Sequence, residues 1–472
     1  MHKIKGIAVA FLVYLSVLIF NDGFMALDEY WVGVVRYIPA QTSTIQTLVG
    51  PDDVKSPLQL MPMYYASQAA LGLGINSPYW QYRFVIIVIG LLSVMVSLYS
   101  LRKFSIADGL EQKKTDILFL MFGFYFAAPF SLTRPMFEAI AAPWLLLSAV
   151  YAFKYDKLGR LKDLLWGVFF VSIAFCLRQQ LGFCALTFVV LVVLKKNLKH
   201  FLWMSLTGLF FLIISGIPDY YLRGQFHFSL LNLTVYNFKH GSEYGDQSIL
   251  FYPAMIFVLA LIPFFIAKYS SAFLKEQLTR YRVFYLYILL FVFLHSLFPN
   301  KWERFLISLL PFFVVVLFPF FNYFLENKEK YRFRLMFLAW FNFFLFIIAS
   351  YFPAQKNLIE MSRYLNSNPH IKKVYRISNT PEWITEAFIL NKKFEFIEST
   401  AAELQNVDFS DCSNVLVVGE AQYKDVVTVT EKLKQIAEFN VNLIEQLAFR
   451  FNPDKNLRRV QLRLFSSCGA IK

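Results

Sequence analysis

Charge is scarce in this 472-residue chain: only 17% of residues are charged, against about a quarter in an ordinary soluble domain. So little polar surface cannot cover a water-exposed fold, which removes the two or three soluble domains that length alone would suggest. Cysteine is nearly absent, with four residues, and the six histidines are scattered. None pairs with Cys at ligand spacing, so no metal site is expected. No glycine-rich repeat follows the strand-like segment ending at Gly419, which leaves that glycine as a strand-to-loop turn rather than a nucleotide-binding fingerprint. What is abundant is apolar: 57% of residues are hydrophobic, with 54 Phe and 26 Tyr. Large aromatics suit lipid-facing and interfacial positions.

A membrane span needs about 17–25 mostly apolar residues. Candidate spans lie near 4–20, 84–101, 116–132, 136–153, 164–177, 181–194, 201–217, 249–267, 283–298, 305–325 and 335–352. That is eleven, with the turn between the short pair 164–177 and 181–194 the least defined. Lys3 and Lys5 precede the first stretch and no small-residue cleavage site follows Phe20, the pattern of a retained anchor.

The formal net charge is +14, yet the basic residues do not gather on one soluble face as a nucleic-acid site requires. They fall in short runs between apolar stretches. With the N-terminus inside, the inside segments up to residue 334 hold 21 Lys and Arg and the outside ones hold nine. The positive-inside rule therefore predicts a cytoplasmic N-terminus, and an odd span count puts the C-terminal part outside.

From about residue 355 the composition changes. Lys373–Ile377 and Val415–Gly419 read as buried strands, with an amphipathic helical stretch near 424–438. The expectation is a transmembrane helical domain over 1–352 and a small extracytoplasmic α/β domain, with a parallel sheet as one option, over 353–472. Cys412 and Cys468 both fall in that second part, an oxidising setting in this orientation; whether they pair is left open by a spacing with no signature. Cys176 and Cys184 sit in apolar spans and read as small hydrophobes.

Charged residues at or inside spans are expensive and so are functional suspects. On the predicted outer face they recur at every connection: Asp28-Glu29 and Lys55 in the first, Arg134 and Glu138 around the second, and Arg178-Gln179-Gln180 in the third. The fourth carries Asp219, Arg223, His227, Tyr236, Asn237, Lys239, His240 and Tyr244, and the fifth Lys301-Trp302-Glu303-Arg304. A carboxylate just past a span, with cations on other outer turns, suits sugar transfer from a polyprenyl-phosphate carrier. Its phosphate sits at headgroup height and its tail in the bilayer. Asp28 or Glu29 could act as general base toward a hydroxyl acceptor. Arg304, Lys301, Arg178 and Arg134 are candidates to grip the departing phosphate, Arg with paired hydrogen bonds.

The ordered motifs resemble the Alg9-like mannosyltransferases, glycosyltransferase family 22, of GT-C fold. Asp28-Glu29-Tyr30-Trp31 looks like that family's Asp-Glu motif in the first outer loop. Lys55-Ser56 with Pro62 and Tyr64-Tyr65 resembles its Arg-Ser…Pro…Tyr stretch, and Arg134 to Glu138 its Arg…Ser-Phe-Glu turn. Asp219 through Tyr236-Asn237 and Glu243-Tyr244-Gly245 resembles its fourth-loop pattern. Asn300-Lys301-Trp302-Glu303-Arg304-Phe305 resembles its His-Lys-Glu-x-Arg-Phe motif. The chain departs from the family in having Asn300 for His, Lys55 for Arg, and no Trp between Gln41 and Asp53.

The resemblance implies a mainly α, polytopic GT-C-type bundle and an inverting transferase of a hexose, mannose by family. The acceptor would be a glycan or glycolipid hydroxyl. Asp28 would be the base, with Lys301 and Arg304 near the donor phosphate. Lys55, Tyr64, Glu138, Asp219, Tyr236, Asn237, His240, Tyr244 and Glu303 would line the substrates. No cofactor beyond the lipid-linked donor is expected, nor any nucleic-acid partner. Ala470-Ile471-Lys472 is no ER-retention ending, which puts a bacterial plasma membrane ahead of the endoplasmic reticulum as the expected location. Two alternatives remain: a non-catalytic transporter or flippase of lipid-linked sugars, and a glycan ligase or polymerase. Transporters place charges near the midplane in repeated halves, whereas here the charges are at outer ends and no internal repeat is found.

Overall fold

The computed structural model describes residues 5–25, 29, 55–240, 247–298, 301–377, 395–451 and 459–468. Most of the chain is helical. Five stretches are long and apolar enough to cross a membrane: Pro78–Asp108, Phe137–Leu158, Leu198–Arg223, Glu303–Glu326 and Lys328–Ser367. A sixth is the pair Ser271–Arg280 and Arg282–Ser296, bent by 75° at Tyr281. The membrane protein expected from composition is there, and among the described residues five helices, or six with the bent pair, meet that length and apolarity.

Other apolar stretches are helical but shorter or interrupted among the described residues. The described part of the first helix, Lys5–Phe20, has 16 residues, about 24 Å at 1.5 Å per residue. The 249–267 stretch breaks into Phe251–Leu259 and Ile262–Phe265 around Leu261, which is left-handed at φ 52°. The short pair meets at Arg178, extended at φ −149°, which ends Leu161–Leu177 and precedes the 3₁₀ turn Gln179–Ala185.

The chain forms two compact units. The first comprises Met1–Phe20, Ser43–Tyr65 and Ile86–Ser350; the second comprises Asn21–Thr42, Ala66–Val85 and Tyr351–Lys472.

In the first unit the helix Phe137–Leu158 is buried along nearly its whole length. Ser148 in its middle satisfies its hydroxyl against the Gly167 carbonyl at 2.8 Å and the Tyr287 hydroxyl at 2.7 Å, as a polar group inside a bundle must. Lys5–Phe20 packs on Gln112–Phe124 at glycines. A Cβ on Gly123 would come within 2.9 Å of the Ala10 Cα, and one on Gly6 within 2.5 Å of the Asp116 carbonyl oxygen. Small residues let membrane helices approach this closely. The basic residues of the predicted inside connections meet carboxylates. Buried Asp108 receives Lys157 at 2.9 Å, Arg280 at 2.8 Å and the Tyr281 hydroxyl at 2.7 Å, and Arg282 pairs with Asp156.

The second unit contains a five-stranded mixed sheet: β1 (Lys373–Ile377), β2 (Glu395–Ser399), β3 (Asn414–Gly419), β4 (Lys434–Phe439) and β5 (Leu462–Ser466). The order is β2-β1-β3-β5-β4. β1 runs parallel to β2 and β3, whereas β5 is antiparallel to β3 and β4, so the sheet is not wholly parallel. Both strands expected from apolar runs are present. The helix expected over 424–438 is not: that stretch is a 3₁₀ turn, the short helix Val427–Thr430 and then β4. Its apolar spacing suits either element, and pairing with β5 selects the strand.

Tyr375, Phe409, Leu416, Val418 and Phe465 form the sheet's core. Cys412 and Cys468 are joined by a disulfide, their Cα atoms 5.4 Å apart. Residues near 21–25 belong to the same unit, where the Phe24 N–H donates to the Ala354 carbonyl at 3.0 Å.

Candidate active site

The site of the first unit starts where a helix fails. Arg178 leaves helical geometry there, extended at φ −149°. Its guanidinium pairs with the Glu138 carboxylate at 3.0 Å, both side chains largely buried. Glu138 lies in the first turn of Phe137–Leu158, where a negative charge is favoured by the helix dipole, and its carbonyl accepts the Ser308 hydroxyl at 3.2 Å. Arg178 also lies over the Phe305 ring, 4.8 Å from its centre. Arg304 lies 5.5 Å from that same ring and 5.7 Å from Trp302. Two guanidinium groups therefore share one aromatic ring.

Two further groups border the pair. Tyr252, fully buried, is close enough to interact electrostatically with Arg178, Arg304 and Glu138. His295, also buried, stacks on Phe291 and donates its Nδ1–H to the Phe291 carbonyl at 2.8 Å. Its ring lies 6.3 Å from Phe305 and 6.2 Å from Tyr252.

Phe305 and His295 form one wall of a cavity of about 270 Å³, which Gln179, Gln180, Asn237 and Phe298 also line. Gln179 donates to the Ser229 hydroxyl at 3.3 Å. The side-chain oxygens of Gln179 and Gln180 are buried without a hydrogen-bond partner among the described residues. Buried carbonyl oxygens without donors are rare and costly; next to a cavity they suit a ligand rich in hydroxyl groups.

The other expected residues divide clearly. Asp219 is buried, pairs with Arg223 at 2.8 Å and accepts from the Ser229 amide at 3.1 Å and hydroxyl at 2.5 Å. Arg223 reaches on to the Lys55 carbonyl at 3.0 Å, and the Lys55 ammonium lies over Phe137, 5.5 Å from its centre. This network joins Asp219 to Lys55 and, through the neighbour of Glu138, to the arginine pair. Tyr236 stacks on His240 at 4.8 Å. Lys301 is buried and donates to the carbonyls of Phe298 at 2.6 Å and Gln247 at 3.0 Å, so it secures the turn that carries Arg304. Arg134 is 1% exposed and lies over Phe130 at 5.1 Å. Tyr64 meets Tyr65 edge-on at 5.3 Å, and Glu303 is exposed.

Glu29 belongs to the second unit. It is fully buried and accepts from the Tyr82 hydroxyl at 2.5 Å and the Met25 amide at 2.8 Å. Asp28 and Tyr244 lie outside the described residues. Among the described residues no group of three or more His, Cys, Asp or Glu could hold a metal ion.

Sequence reasoning missed Tyr252 and His295. Both sit at the ends of apolar helices next to the charged connections, Tyr252 second in Phe251–Leu259 and His295 next to last in Arg282–Ser296. The available signal was a hydrogen-bonding ring at an apolar helix end, a weak one.

The comparisons fit this geometry. The sequence profile of the Alg9-like mannosyltransferase family matches residues 52–383. No curated protein sequence gives a significant match. Two solved structures share the fold over nearly their whole length. ArnT from Cupriavidus metallidurans in the apo state is 9% identical, with a TM-score of 0.60, covering 99% of this chain and 98% of that one. ArnT from the same organism bound to undecaprenyl phosphate is 9% identical with a TM-score of 0.58 and the same coverage. The GT-C type of fold is thus confirmed. A family match over most of the chain joins the membrane helices and the ordered motifs in one conclusion: this chain belongs to the Alg9-like mannosyltransferase family and is a membrane glycosyltransferase.

Proposed function

We propose that the protein transfers a hexose, mannose by its family, from a polyprenyl-phosphate carrier to a hydroxyl of a glycan or glycolipid, with inversion. The observation that carries this reading is the sharing of Phe305 by Arg178 and Arg304 beside a small cavity with two unpartnered amide oxygens. Two guanidinium groups suit a phosphate, since charge-assisted, paired hydrogen bonds are the strong ones. The amide oxygens suit sugar hydroxyls. That the fold neighbour is described as bound to undecaprenyl phosphate supports a carrier of this class.

In the step, the acceptor oxygen bonds to the anomeric carbon from the face opposite the phosphate. The bond from that carbon to the phosphate oxygen breaks, and the carrier phosphate leaves with the electron pair. The acceptor's proton passes to a carboxylate, assigned to Asp28, with Glu29 beside it in sequence. Arg178 and Arg304 stabilise the charge that grows on the phosphate. Carbon–oxygen exchange of this kind needs no metal and no redox cofactor, so transfer should persist in excess chelator.

The reaction is assigned to the extracytoplasmic face, with the N-terminus cytoplasmic and residues 353–472 outside. The disulfide of Cys412 with Cys468 supports that side, because such bonds persist in oxidising compartments. A bacterial plasma membrane, with undecaprenyl- or decaprenyl-phosphate as carrier, is the proposed setting. A reporter fused after Lys472 should be active only on the non-cytoplasmic side; cytoplasmic activity would invert the assignment.

The test of the chemistry uses purified protein in nanodiscs with synthetic polyprenyl-phosphate mannose and a glycolipid acceptor. Product of opposite anomeric configuration, and its loss in Asp28→Asn with insertion intact, is the expected result. Retained configuration would remove inversion, and retained turnover would remove Asp28 as base.

A further inference from the structure

The helix Leu443–Phe451 in the second unit is turned inside out. Its one fully buried side chain is an acid, Glu445. The apolar residues Leu443, Ile444, Leu447 and Phe451 are instead exposed, by 65%, 40%, 42% and 86%. At 100° per residue these four fall on one side of the helix, with exposed Arg450 at its edge. A helix on a water-facing domain shows the reverse pattern, apolar stripe inward and charge outward. An exposed apolar stripe with a cation at its margin is the pattern of a helix lying in a membrane surface.

The placement of Glu445 says which surface. Its carboxylate accepts the Gln355 amide at 2.9 Å and the Asn442 side-chain amide at 3.1 Å, and Asn442 also donates to the Pro353 carbonyl at 3.1 Å. Pro353 and Gln355 follow directly on Tyr351, the last residue of the apolar helix Lys328–Tyr351. Four residues of chain reach about 14 Å at most. The helix start is therefore tied to the point where a membrane-spanning helix ends, and Phe352 at that point is itself 45% exposed.

We propose that Leu443–Phe451 is an interfacial anchor. Its Leu443, Ile444, Leu447 and Phe451 face enters the bilayer surface at the end of the Lys328–Tyr351 span, with Arg450 among the lipid phosphates. Buried Glu445 and Asn442 act as the fastening that holds the helix at that height. This anchor fixes the small α/β domain against the membrane by a second contact besides the chain connection. The inference does not depend on which side of the membrane the domain occupies, nor on the sugar-transfer reading.

The test is depth-dependent quenching on the full chain in proteoliposomes of palmitoyl-oleoyl phosphatidylcholine. A bimane label is placed at Leu447→Cys, and separately at Ile444→Cys, in a background with Cys176→Ala and Cys184→Ala. The Cys412–Cys468 disulfide is left oxidised so that neither cysteine takes the label. Lys432→Cys, exposed in a turn of the same domain, is the aqueous reference. The expected result is loss of most emission from 444 and 447 when the lipid is replaced by its brominated analogue, with little loss on adding iodide. Position 432 should show the opposite order. Iodide quenching at 444 and 447 as strong as at 432 would overturn the anchor. Protection from both quenchers would overturn it equally, since a protein surface, a second copy or another partner, would then cover the face.

Discussion

Removing Arg178 should damage the protein in two separable ways. Arg178→Ala leaves the Glu138 carboxylate, its side chain only 5% exposed, without the cation 3.0 Å away. Breaking a buried pair by deleting one partner costs about 3–5 kcal/mol, most of it the penalty for the charge left behind. The lost contact with Phe305 adds about 0.5–2 kcal/mol. Deleting Glu138 as well removes that stranded charge, so the double variant Arg178→Ala/Glu138→Ala should be more stable than Arg178→Ala alone by about 2 kcal/mol, within the usual coupling range. Activity should not follow stability. A charge-assisted hydrogen bond to phosphate contributes about 1.5–3 kcal/mol, which is about 10- to 150-fold in kcat/KM for the lipid-linked donor. Both variants should carry that deficit. The assays are the midpoint of thermal unfolding in nanodiscs and initial rates against donor concentration. A double variant as unstable as the single one would refute the buried-pair argument. A double variant that regains donor use would refute the phosphate role of Arg178.

Three further outcomes follow from particular residues. Arg304→Ala should lower kcat/KM for the donor by about tenfold or more, while Arg102→Ala, on a predicted inside connection, should leave it within twofold; equal losses would detach Arg304 from the phosphate. Replacing Cys412 and Cys468 by Ser should lower the stability of the α/β domain by about 4 kcal/mol on the chain-entropy estimate for a loop of this length, read as earlier proteolysis of residues 353–472; unchanged proteolysis would refute the stabilising role. Asp108→Asn should leave Lys157 and Arg280 facing each other without their carboxylate and cost about 3–5 kcal/mol, seen as a lowered unfolding midpoint. An unchanged midpoint would show those pairs to be solvent-screened.

The membrane class was legible because it rests on sums: too few charges, too many apolar residues, and a bias of basic residues that needs no boundary to be right. Span boundaries were less legible because apolarity does not report continuity. The apolar run continues through Ala260 and Leu261, yet the helix Phe251–Leu259 stops there, with Leu261 at φ 52° and the helix breaker Pro263 opening the next turn. The misread 424–438 stretch has the same origin. Val426, Val429 and Leu433 have helical spacing, and only the pairing of β4 with β5, some 28 residues further along the chain, makes Lys434–Phe439 a strand. Long-range partners override local pattern in sheets more than in helices.

For the candidate site, the sequence singled out charged residues but not how they are arranged. Arg178, Glu138 and Arg304 were visible because a charge beside an apolar stretch is expensive and therefore conspicuous. Lys301 was equally conspicuous, yet its ammonium donates to the carbonyls of Phe298 and Gln247. The surroundings of a cation do not show in one dimension. Here they differ: Lys301 is 5% exposed and donates to two carbonyls, and Arg178 and Arg304 lie on a ring at a cavity wall. Phe305 is the ring on which two arginines far apart in sequence meet. Phe305→Leu, which keeps an apolar side chain but removes the ring both cations share, should weaken donor use while Lys301 still holds its turn. If donor use were unchanged, the two arginines would act independently, and the shared ring would be packing alone.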